Sequence, residues 1–325
     1  MTGTASKPVA SDGVTPEQAE RFAADLGRLW PEDGRFGLAV SGGPDSLALL
    51  LLAHAARPGR FAVATVDHGL RPEAAAECAL VERACADRGI ACAILKVELA
   101  AGNLQAEARA ARYAALAEWA EREGVAALVT AHHADDQAET LIMRLNRASG
   151  LAGLAGVRSR GVVPGARLPL LRPLLSWRRA ELAAIVAGAG LEAVQDPSNA
   201  DEAYDRVRIR KALAAADWLD AGAVAASAEH LADADEALGW MVEREMAENV
   251  SVIEDGIRYE PGAPKAVAIR VAARIVGGFG GSPRGGAVSR LVDDLTNGEG
   301  GNVAGVAAKV CDGGWVFQPE PPRRS

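Results

Sequence analysis

The feature that most constrains the fold is an apolar run, a short glycine loop and a second apolar run between Phe36 and Leu52. The loop, Ser41–Ser46, reads Ser-Gly-Gly-Pro-Asp-Ser. Its two adjacent glycines lack the Cβ atoms that would keep a ligand away from the backbone. Pro44 suits the first turn of a helix, and the N–H groups of a helix N-terminus favour an anion. The stretch therefore predicts a strand, a phosphate-binding loop and a helix.

The carboxylate of Asp45 narrows the choice of ligand, because it would repel a phosphate unless it also holds Mg²⁺ or a cationic substrate. The loop is not a Walker A motif, since the sequence contains no Gly-x-x-x-x-Gly-Lys-Ser/Thr. The structural alternative is a Ser-Gly-Gly-Pro turn that enters a helix and binds nothing.

Strand and helix patterns alternate along the first two thirds of the chain. The pattern predicts a helix from a capping box at Thr15–Gln18 to about Trp30, and then apolar strands at 36–40, 61–66, 91–97 and 126–131 with helices between them. Continuously apolar strands separated by helices are typical of a parallel sheet covered on both faces. We therefore predict an α/β fold with a Rossmann-like parallel sheet.

Polar clusters follow the first, second and fourth predicted strands, at Ser41–Ser46, Asp67–Arg71 and His132–Thr140. Parallel sheets of this kind bind ligands beyond the carboxyl ends of their strands, where all three clusters would lie. Asp135 is the expected N-cap of the helix after the fourth strand. Adjacent side chains on an extended segment point to opposite sides, so we expect only one of His132 and His133 to face the site.

The chain of 325 residues is long enough for two domains. We expect a disordered tail at 1–14, a nucleotide-binding catalytic domain at 15–216 and a smaller, mainly helical α+β domain at 217–325. In the second domain we predict a long helix at about 222–249, a hairpin around Asp255-Gly256, two more helices, and a final pair of strands that turn at Asp312–Gly314.

The local distribution of charge along the chain predicts a different partner from the one that the net charge predicts. The whole chain carries −8, which speaks against a nucleic-acid partner, but Arg144–Arg179 holds eight arginines and no Asp or Glu. A second basic cluster lies at Arg206–Lys211. Like charges repel unless an anion joins them, so these stretches favour nucleic-acid contact over solvated arginines alone. The candidate contacts are Arg144, Arg147, Arg158, Arg160, Arg172, Arg206, Arg208 and Arg210.

Other classes of protein are disfavoured. The four cysteines form no Cys-x-x-Cys pair, which argues against a zinc ribbon, an iron–sulfur site or a redox pair. No apolar run approaches the length of about 18 residues that a membrane span needs, and no leader is recognisable, so a cytosolic location and no membrane partner are expected. A two-metal phosphohydrolase using the His and Asp clusters would leave the glycine loop without a role.

Ser41–Ser46 resembles the SGGxDS loop of the N-type ATP pyrophosphatases, which cleave ATP between the α- and β-phosphates and adenylate a carbonyl. Within that superfamily, further motifs over about 36–211 resemble the tRNA(Ile)-lysidine synthase family in content and order. They are Val66–Arg71, Ala108–Tyr113, Ala131–Thr140, Gly150–Gly156, Arg172–Leu175, Asp196–Asn199 and Arg206–Arg210. Val207 departs from the pattern, because the family usually has asparagine there.

The resemblance implies a reaction with ATP, Mg²⁺, L-lysine and the CAU anticodon of tRNA(Ile). The O2 atom of cytidine 34 attacks the α-phosphate, pyrophosphate leaves, and the lysine amine then displaces AMP from C2 to give lysidine, which changes the codon read from AUG to AUA. Monomer and homodimer both stay open. A tRNA thiolase of the same superfamily and a catalytically silent nucleotide- or tRNA-binding module are the alternatives.

The resemblance also implies roles for individual residues. Asp45 and Asp136 would hold the metal or the cationic lysine, and His133 and Arg112 would contact the nucleotide or the adenylated intermediate. The implied ATP-binding residues are Ser41, Gly42, Gly43, Pro44, Asp45, Ser46, Asp67 and His68.

Overall fold

The computed structural model describes residues 12–32, 34–67, 69, 73–97, 104–194, 205–283 and 285–320. The chain divides into two compact units, Met1–Ala232 and Asp233–Ser325. His68 and the predicted turn Asp196–Asn199 lie outside the described residues, as does most of the predicted tail.

The helices and strands of the described residues are numbered in chain order. The helices are α1 Pro16–Leu29, α2 Pro44–Ala56, α3 Glu73–Ala86, α4 Leu104–Arg122, α5 Ala134–Asn146, α6 Leu151–Leu154, α7 Arg179–Gly188, α8 Asp205–Ala215, α9 Ala221–Asn249, α10 Lys265–Gly278 and α11 Gly285–Thr296. The strands are β1 Phe36–Ala39, β2 Phe61–Asp67, β3 Cys92–Lys96, β4 Ala127–Val129, β5 Arg160–Val162, β6 Pro169–Leu171, β7 Val250–Ile253, β8 Gly256–Tyr259, β9 Gly301–Val303, β10 Val306–Cys311 and β11 Gly314–Pro319.

The first unit contains a six-stranded sheet in the order β3-β2-β1-β4-β6-β5. The four predicted strands are confirmed as β1 to β4, and they pair in parallel. Strands β5 and β6 were not predicted: β6 extends the parallel sheet, and β5 closes its edge in the antiparallel sense. Both are three residues long and lie inside the stretch rich in arginine and glycine, where so short a segment shows no periodicity.

Helices cover both faces of this sheet, as predicted. Helix α2 is apolar all round, and the side chains of Leu47–Leu52 are completely buried between the sheet and helices α1 and α7. On the other face, Tyr113, Leu116 and Trp119 of α4 pack against β2, β4 and β6. Gly37 of β1 lets Trp119 approach, because a Cβ at this position would lie 2.7 Å from the Trp119 ring. The strands are thereby held in a close-packed core.

The strand order reverses between β1 and β4. The chain runs outward from β1 through β2 to β3 and then crosses to the other side of β1 to enter β4. The segments that follow β1 and β4 therefore diverge, and they leave a crevice at the carboxyl end of the sheet. This crevice separates the glycine loop from the His132-His133 segment.

The second unit is a five-stranded antiparallel sheet in the order β7-β8-β11-β10-β9, packed with α10, α11 and the end of α9. The predicted hairpin and the predicted final strand pair are confirmed as β7–β8 and β10–β11. Buried Glu245 joins α9 to the sheet, since it accepts hydrogen bonds from the Tyr259 hydroxyl at 3.0 Å and from the Gly262 N–H at 2.9 Å.

Two further points concern the helices. The capping box at Thr15 is confirmed, with reciprocal hydrogen bonds between Thr15 and Gln18. None of the helices in the described part of the chain combines the length and apolar character that a bilayer span requires.

Candidate active site

A cavity of about 430 Å³ lies in the crevice between the segments that follow β1 and β4. This volume is within the range of small-molecule sites, roughly 300–1,000 Å³. Residues from the glycine loop, α4 and the segment after β4 share its wall. The polar lining residues are Ser41, Asp45, Ser46, Glu77, Arg112, Tyr113, Thr130, His132 and Asp136.

The glycine loop forms one side of this cavity and is held by its own hydrogen bonds. The Ser46 hydroxyl donates to the Gly43 carbonyl at 2.9 Å and accepts from the Ser41 N–H at 3.1 Å. Gly42 has a φ of +83°, a conformation that favours glycine. Gly43 is the N-cap of α2, and a Cβ there would meet only the Ser41 hydroxyl, at 3.8 Å. The loop thus presents a helix N-terminus to an open cradle, as an anion site requires.

His133 joins the two carboxylates that the resemblance singles out. Its side chain is completely buried, and its Nε2 lies 3.4 Å from Asp45 Oδ2 and 3.5 Å from Asp136 Oδ2. It is also the N-cap of α5, because its Nδ1 accepts from the Asp136 N–H at 3.4 Å while Asp136 Oδ2 accepts from the His133 N–H at 3.2 Å. One buried imidazole therefore lies within 3.5 Å of carboxylates on α2 and α5, and its Nε2 has no hydrogen-bond partner among the described residues.

The prediction that Asp135 caps α5 is wrong. The helix begins two residues earlier than expected, after His133, and this places Asp135 inside its first turn. Asp135 Oδ2 accepts a hydrogen bond from the Arg179 N–H at 2.8 Å, at the first residue of α7. Asp135 therefore supports a neighbouring helix rather than its own.

The donor set suits Mg²⁺ that is shared with phosphates. Asp45 Oδ1 is buried and has no hydrogen-bond partner among the described residues. Mg²⁺ is usually held by one or two carboxylates together with substrate phosphates, and Asp45 and Asp136 offer that number beside the phosphate loop. Among the described residues, no group of three or more His, Cys, Asp or Glu side chains is arranged so that it could itself hold a metal ion, as a two-metal hydrolase would need.

His132 lines the cavity, although sequence reasoning gave it no role. Its Nδ1 lies 3.1 Å from the Thr130 hydroxyl. Burial, together with the positive charges of four arginines, lowers the pKa of His132 to about 3, so the ring is neutral at physiological pH. His132 and His133 face different surroundings, as expected. His132 lines the cavity, whereas the predicted contact residue His133 is buried behind it, beside Asp45 and Asp136.

Helix α4 and strand β2 place the remaining predicted nucleotide contacts. Arg112 lines the cavity and lies over the Tyr113 ring at 5.3 Å. Asp67 ends β2, and its carboxylate accepts from the Gly69 N–H at 2.9 Å; its neighbour Val66 lines the cavity, whereas Asp67 does not. The contribution of Asp67 to ATP binding stays a prediction.

Glu139 is the main polar residue that sequence reasoning missed. It is 2% exposed and accepts hydrogen bonds from Arg179 at 2.9 Å, Arg206 at 2.7 Å and Arg210 at 2.8 Å. Burial alone would raise the pKa of Glu139, but the hydrogen bonds from the three arginines lower it to about 2. Arg206 also donates to Asp136 at 2.9 Å. The carboxylate therefore ties α7 and α8 to the helix that carries Asp136.

The structure distributes the predicted tRNA contacts over different environments. Arg206 and Arg210 bind Glu139, and Arg147 and Arg208 both pair with Asp205. The acidic partners missing from Arg144–Arg179 are thus supplied by other segments, which weakens the argument from unpaired charge.

The other arginines of that stretch are less uniform than the sequence suggests. Arg172 is 8% exposed and donates to the Arg158 carbonyl at 2.6 Å. Arg160 lies over the Trp30 ring at 5.7 Å, and Arg144 is exposed at the end of α5. Contact of these residues with RNA stays a prediction.

Comparison with known proteins agrees with this geometry. Residues 15–216 match the family model of the PP-loop domain. The chain is 52% identical to a tRNA(Ile)-lysidine synthase of Novosphingobium aromaticivorans over 94% of this chain and 95% of the relative. It is 42% identical to the enzyme of that name from Zymomonas mobilis, over 90% and 91% of the two chains.

A solved structure shares the fold at low sequence identity. A U34-tRNA thiolase from Methanococcus maripaludis superimposes with a TM-score of 0.55 at 17% identity, covering 66% of this chain and 77% of the thiolase. This likeness supports the architecture of the sheet and its helices.

We expect Gly43→Val to abolish ATP binding without unfolding the protein. The backbone of Gly43 has a φ of −73°, which any residue adopts, and the space around its Cβ position is open, so a branched side chain would project where phosphate must lie. Isothermal titration with ATP measures the loss, and circular dichroism checks the fold. Gly43→Ala is the graded control and should bind more weakly than the wild type but more tightly than Gly43→Val. Wild-type ATP affinity in folded Gly43→Val would contradict the assignment.

We expect Glu139→Gln to destabilise the first unit by about 3 kcal/mol at neutral pH, because it leaves three arginines without their buried anion. The lowered pKa of Glu139 sets the pH dependence. Its stabilising effect is fully present above the unfolded pKa, near 4.5, and is lost as the pH falls through the folded value of about 2. The difference in unfolding free energy between wild type and variant, measured with urea, should therefore shrink from pH 5 downward. A difference that is the same at pH 3 and pH 7 would exclude an ionised Glu139 as its source.

Proposed function

The chain belongs to the tRNA(Ile)-lysidine synthase family and is an ATP-using ligase with a PP-loop domain, and from this premise we propose that it joins L-lysine to C2 of cytidine 34 in the CAU anticodon of tRNA(Ile). The observation that carries the proposal is the cavity in which the glycine loop faces two carboxylates linked by His133. An anion cradle beside carboxylates accommodates a polyphosphate and a cation together.

In the first step, the O2 atom of cytidine 34 attacks the α-phosphate of ATP, and pyrophosphate leaves. The N–H groups at the start of α2 are fixed donors, so they stabilise the phosphates without reorganisation during the reaction. Arg112, which lines the cavity, adds a positive charge for the nucleotide or the adenylated cytidine. Mg²⁺, held by Asp45 and Asp136 with the phosphates, would neutralise charge on the leaving pyrophosphate.

In the second step, the lysine amine forms a bond to C2 as the bond from C2 to the O2 of the adenylate breaks, and AMP leaves with that oxygen. Nucleophilic attack requires the neutral amine, so the ε-ammonium gives up a proton, to one of the two cavity carboxylates or to water, before or during the attack. The carboxylates of Asp45 and Asp136 attract the cationic substrate into the cavity, and the neutral ring of His132 adds no positive charge to oppose it. Donors to phosphate on one side of the cavity and carboxylates on the other allow anionic ATP and cationic lysine to bind in one site.

A transfer assay tests the proposal directly. The protein is mixed with ATP, labelled lysine and a tRNA(Ile) transcript with the CAU anticodon, and label is counted in the RNA. The control transcript has the same body with a GAU anticodon. We expect label only with CAU and ATP together. A thiolase would consume ATP without adding lysine, and a silent module would bind ATP or tRNA without turnover, so either result would replace the proposed function.

Of the eight candidate arginines, the most exposed are proposed to contact tRNA phosphates, and the degree of exposure ranks them. The side chains of Arg208 and Arg147 are 64% and 59% exposed, whereas that of Arg210 is 28% exposed. The acidic net charge does not prevent this, because the Debye length of about 8 Å at physiological salt screens distant acidic surface. We further propose that the enzyme is cytoplasmic and acts as a monomer or a homodimer.

We expect Asp45→Asn and Asp136→Asn each to reduce lysine transfer by about 100-fold or more, the scale of losing one preorganised electrostatic contact. Both substitutions keep the size of the side chain and remove its charge. The measurement is kcat/KM in the transfer assay, with Asp87→Asn on the exposed surface as the matched control. Turnover near the wild-type value in either variant would remove that residue from the site.

We expect Arg208→Ala to weaken tRNA binding and to flatten the log–log dependence of affinity on salt by about one unit, as loss of one phosphate contact requires. ATP affinity should be unchanged. Arg210→Ala is the matched control from the same helix: because its guanidinium binds Glu139, its main effect should be on stability. A wild-type affinity that does not respond to salt would show that tRNA does not lie on this face.

A further inference from the structure

Trp218 is an exposed indole on an ordered turn. It lies in the short connection between α8 and α9, and it is 80% exposed. Tryptophan is highly buried on average, because its large ring gains more from leaving water than most side chains. The sequence analysis gave this residue no role.

Hydrogen bonds hold the turn that carries Trp218. The Leu219 N–H donates to the Ala216 carbonyl at 3.1 Å, and Asp220 Oδ1 accepts from the Gly222 N–H at 2.9 Å. Asp220 also pairs with Arg178 at 2.7 Å. The indole is therefore displayed from a fixed backbone.

The same ion pair connects the turn to the active site. Arg178 Nε lies 3.5 Å from Asp135 Oδ2, in the first turn of α5. The next residue along that turn is Asp136, which lines the cavity. Two ion pairs through one guanidinium thus link the base of the Trp218 turn to the first turn of α5, beside the cavity residue Asp136.

The helix before Trp218 supplies positive charge. Arg208 on α8 is exposed, and Lys211 lies in its next turn. Basic side chains and an exposed aromatic ring on one segment are the features with which proteins bind single-stranded nucleic acid: the cations contact phosphates, and the ring stacks on a base. Sequence-specific RNA recognition targets unpaired bases in loops, and the anticodon loop is such a target.

We propose that Trp218 stacks on an unpaired base of the tRNA anticodon loop and so positions the loop for entry of cytidine 34 into the cavity. This inference rests on the proposed function, because it takes tRNA as the substrate. Trp218 is in this view a positioning residue, which touches the RNA beside the reacting nucleotide. Its contribution is neutral in charge and separate from that of the arginines.

The test measures binding of an RNA hairpin that carries the CAU anticodon stem and loop, as a function of salt. We expect Trp218→Ala and Trp218→Leu to weaken binding about tenfold and to leave the log–log salt slope unchanged, because the indole releases no counterions. Trp218→Phe keeps an aromatic face and should retain most of the affinity. Trp240→Ala is the matched control, since Trp240 is 65% exposed in the second unit. In the transfer assay, Trp218→Ala should raise KM for tRNA and leave KM for ATP unchanged.

Wild-type affinity in both Trp218→Ala and Trp218→Leu would overturn the proposal, as would an equal loss in Trp240→Ala. A fully base-paired RNA that loses the same affinity on Trp218→Ala would also overturn it, because a duplex offers no base to stack on. The two levels of inference fail separately. A wild-type protein that transfers no lysine refutes the proposed function, whereas an active wild type with an unchanged KM for tRNA in Trp218→Ala refutes only the stacking.

Discussion

The site depends on the burial of one carboxylate, that of Glu139. An isolated buried carboxylate is expensive, and here three guanidinium groups from α7 and α8 satisfy it. A buried charge needs several hydrogen bonds to offset its lost hydration, and those of Glu139 come from both helices. Arg206 then also binds Asp136, so the arrangement that stabilises Glu139 fixes the carboxylate in the cavity. The ion pairs that stabilise the packing of α5, α7 and α8 therefore also position a carboxylate of the site.

The cavity separates two kinds of charge that its substrates require. The glycine loop at the start of α2 and Arg112 offer donors to phosphate, whereas Asp45 and Asp136 offer acceptors to cations. His133 is completely buried, and its Nε2 lies 3.4 Å from the carboxylate of Asp45 and 3.5 Å from that of Asp136. In the proposed reaction the first step gathers anionic phosphates and the second step brings in cationic lysine, so a site with only one sign of charge would bind one substrate and repel the other.

Features set by neighbouring residues could be predicted from the sequence, and features set by distant partners could not. The strand, loop and helix around Gly42 and Gly43, and the parallel sheet, follow from local patterns, and they are confirmed. Strands β5 and β6 are too short to show a pattern, and the N-cap of α5 depends on a histidine that reaches Asp136 and Asp45. The role of Glu139 was hidden because its partners lie 40 to 71 residues away in the chain.

The basic cluster of α8 shows why a count of arginines is a poor measure of a nucleic-acid surface. Residues four apart share a helix face, so Arg206 and Arg210 both turn toward Glu139, while Arg208 lies on another side and is exposed. One run of sequence therefore has two environments: Arg206 and Arg210 bind a buried carboxylate, whereas Arg208 between them is exposed. In an acidic protein, a few exposed cations have a large effect on where a polyanion approaches. Arginines that are neutralised by a carboxylate of the fold contribute little to the electrostatic potential at the surface. Arginines that form ion pairs within the fold therefore have to be left out when an RNA-binding surface is predicted from the number of arginines in a sequence.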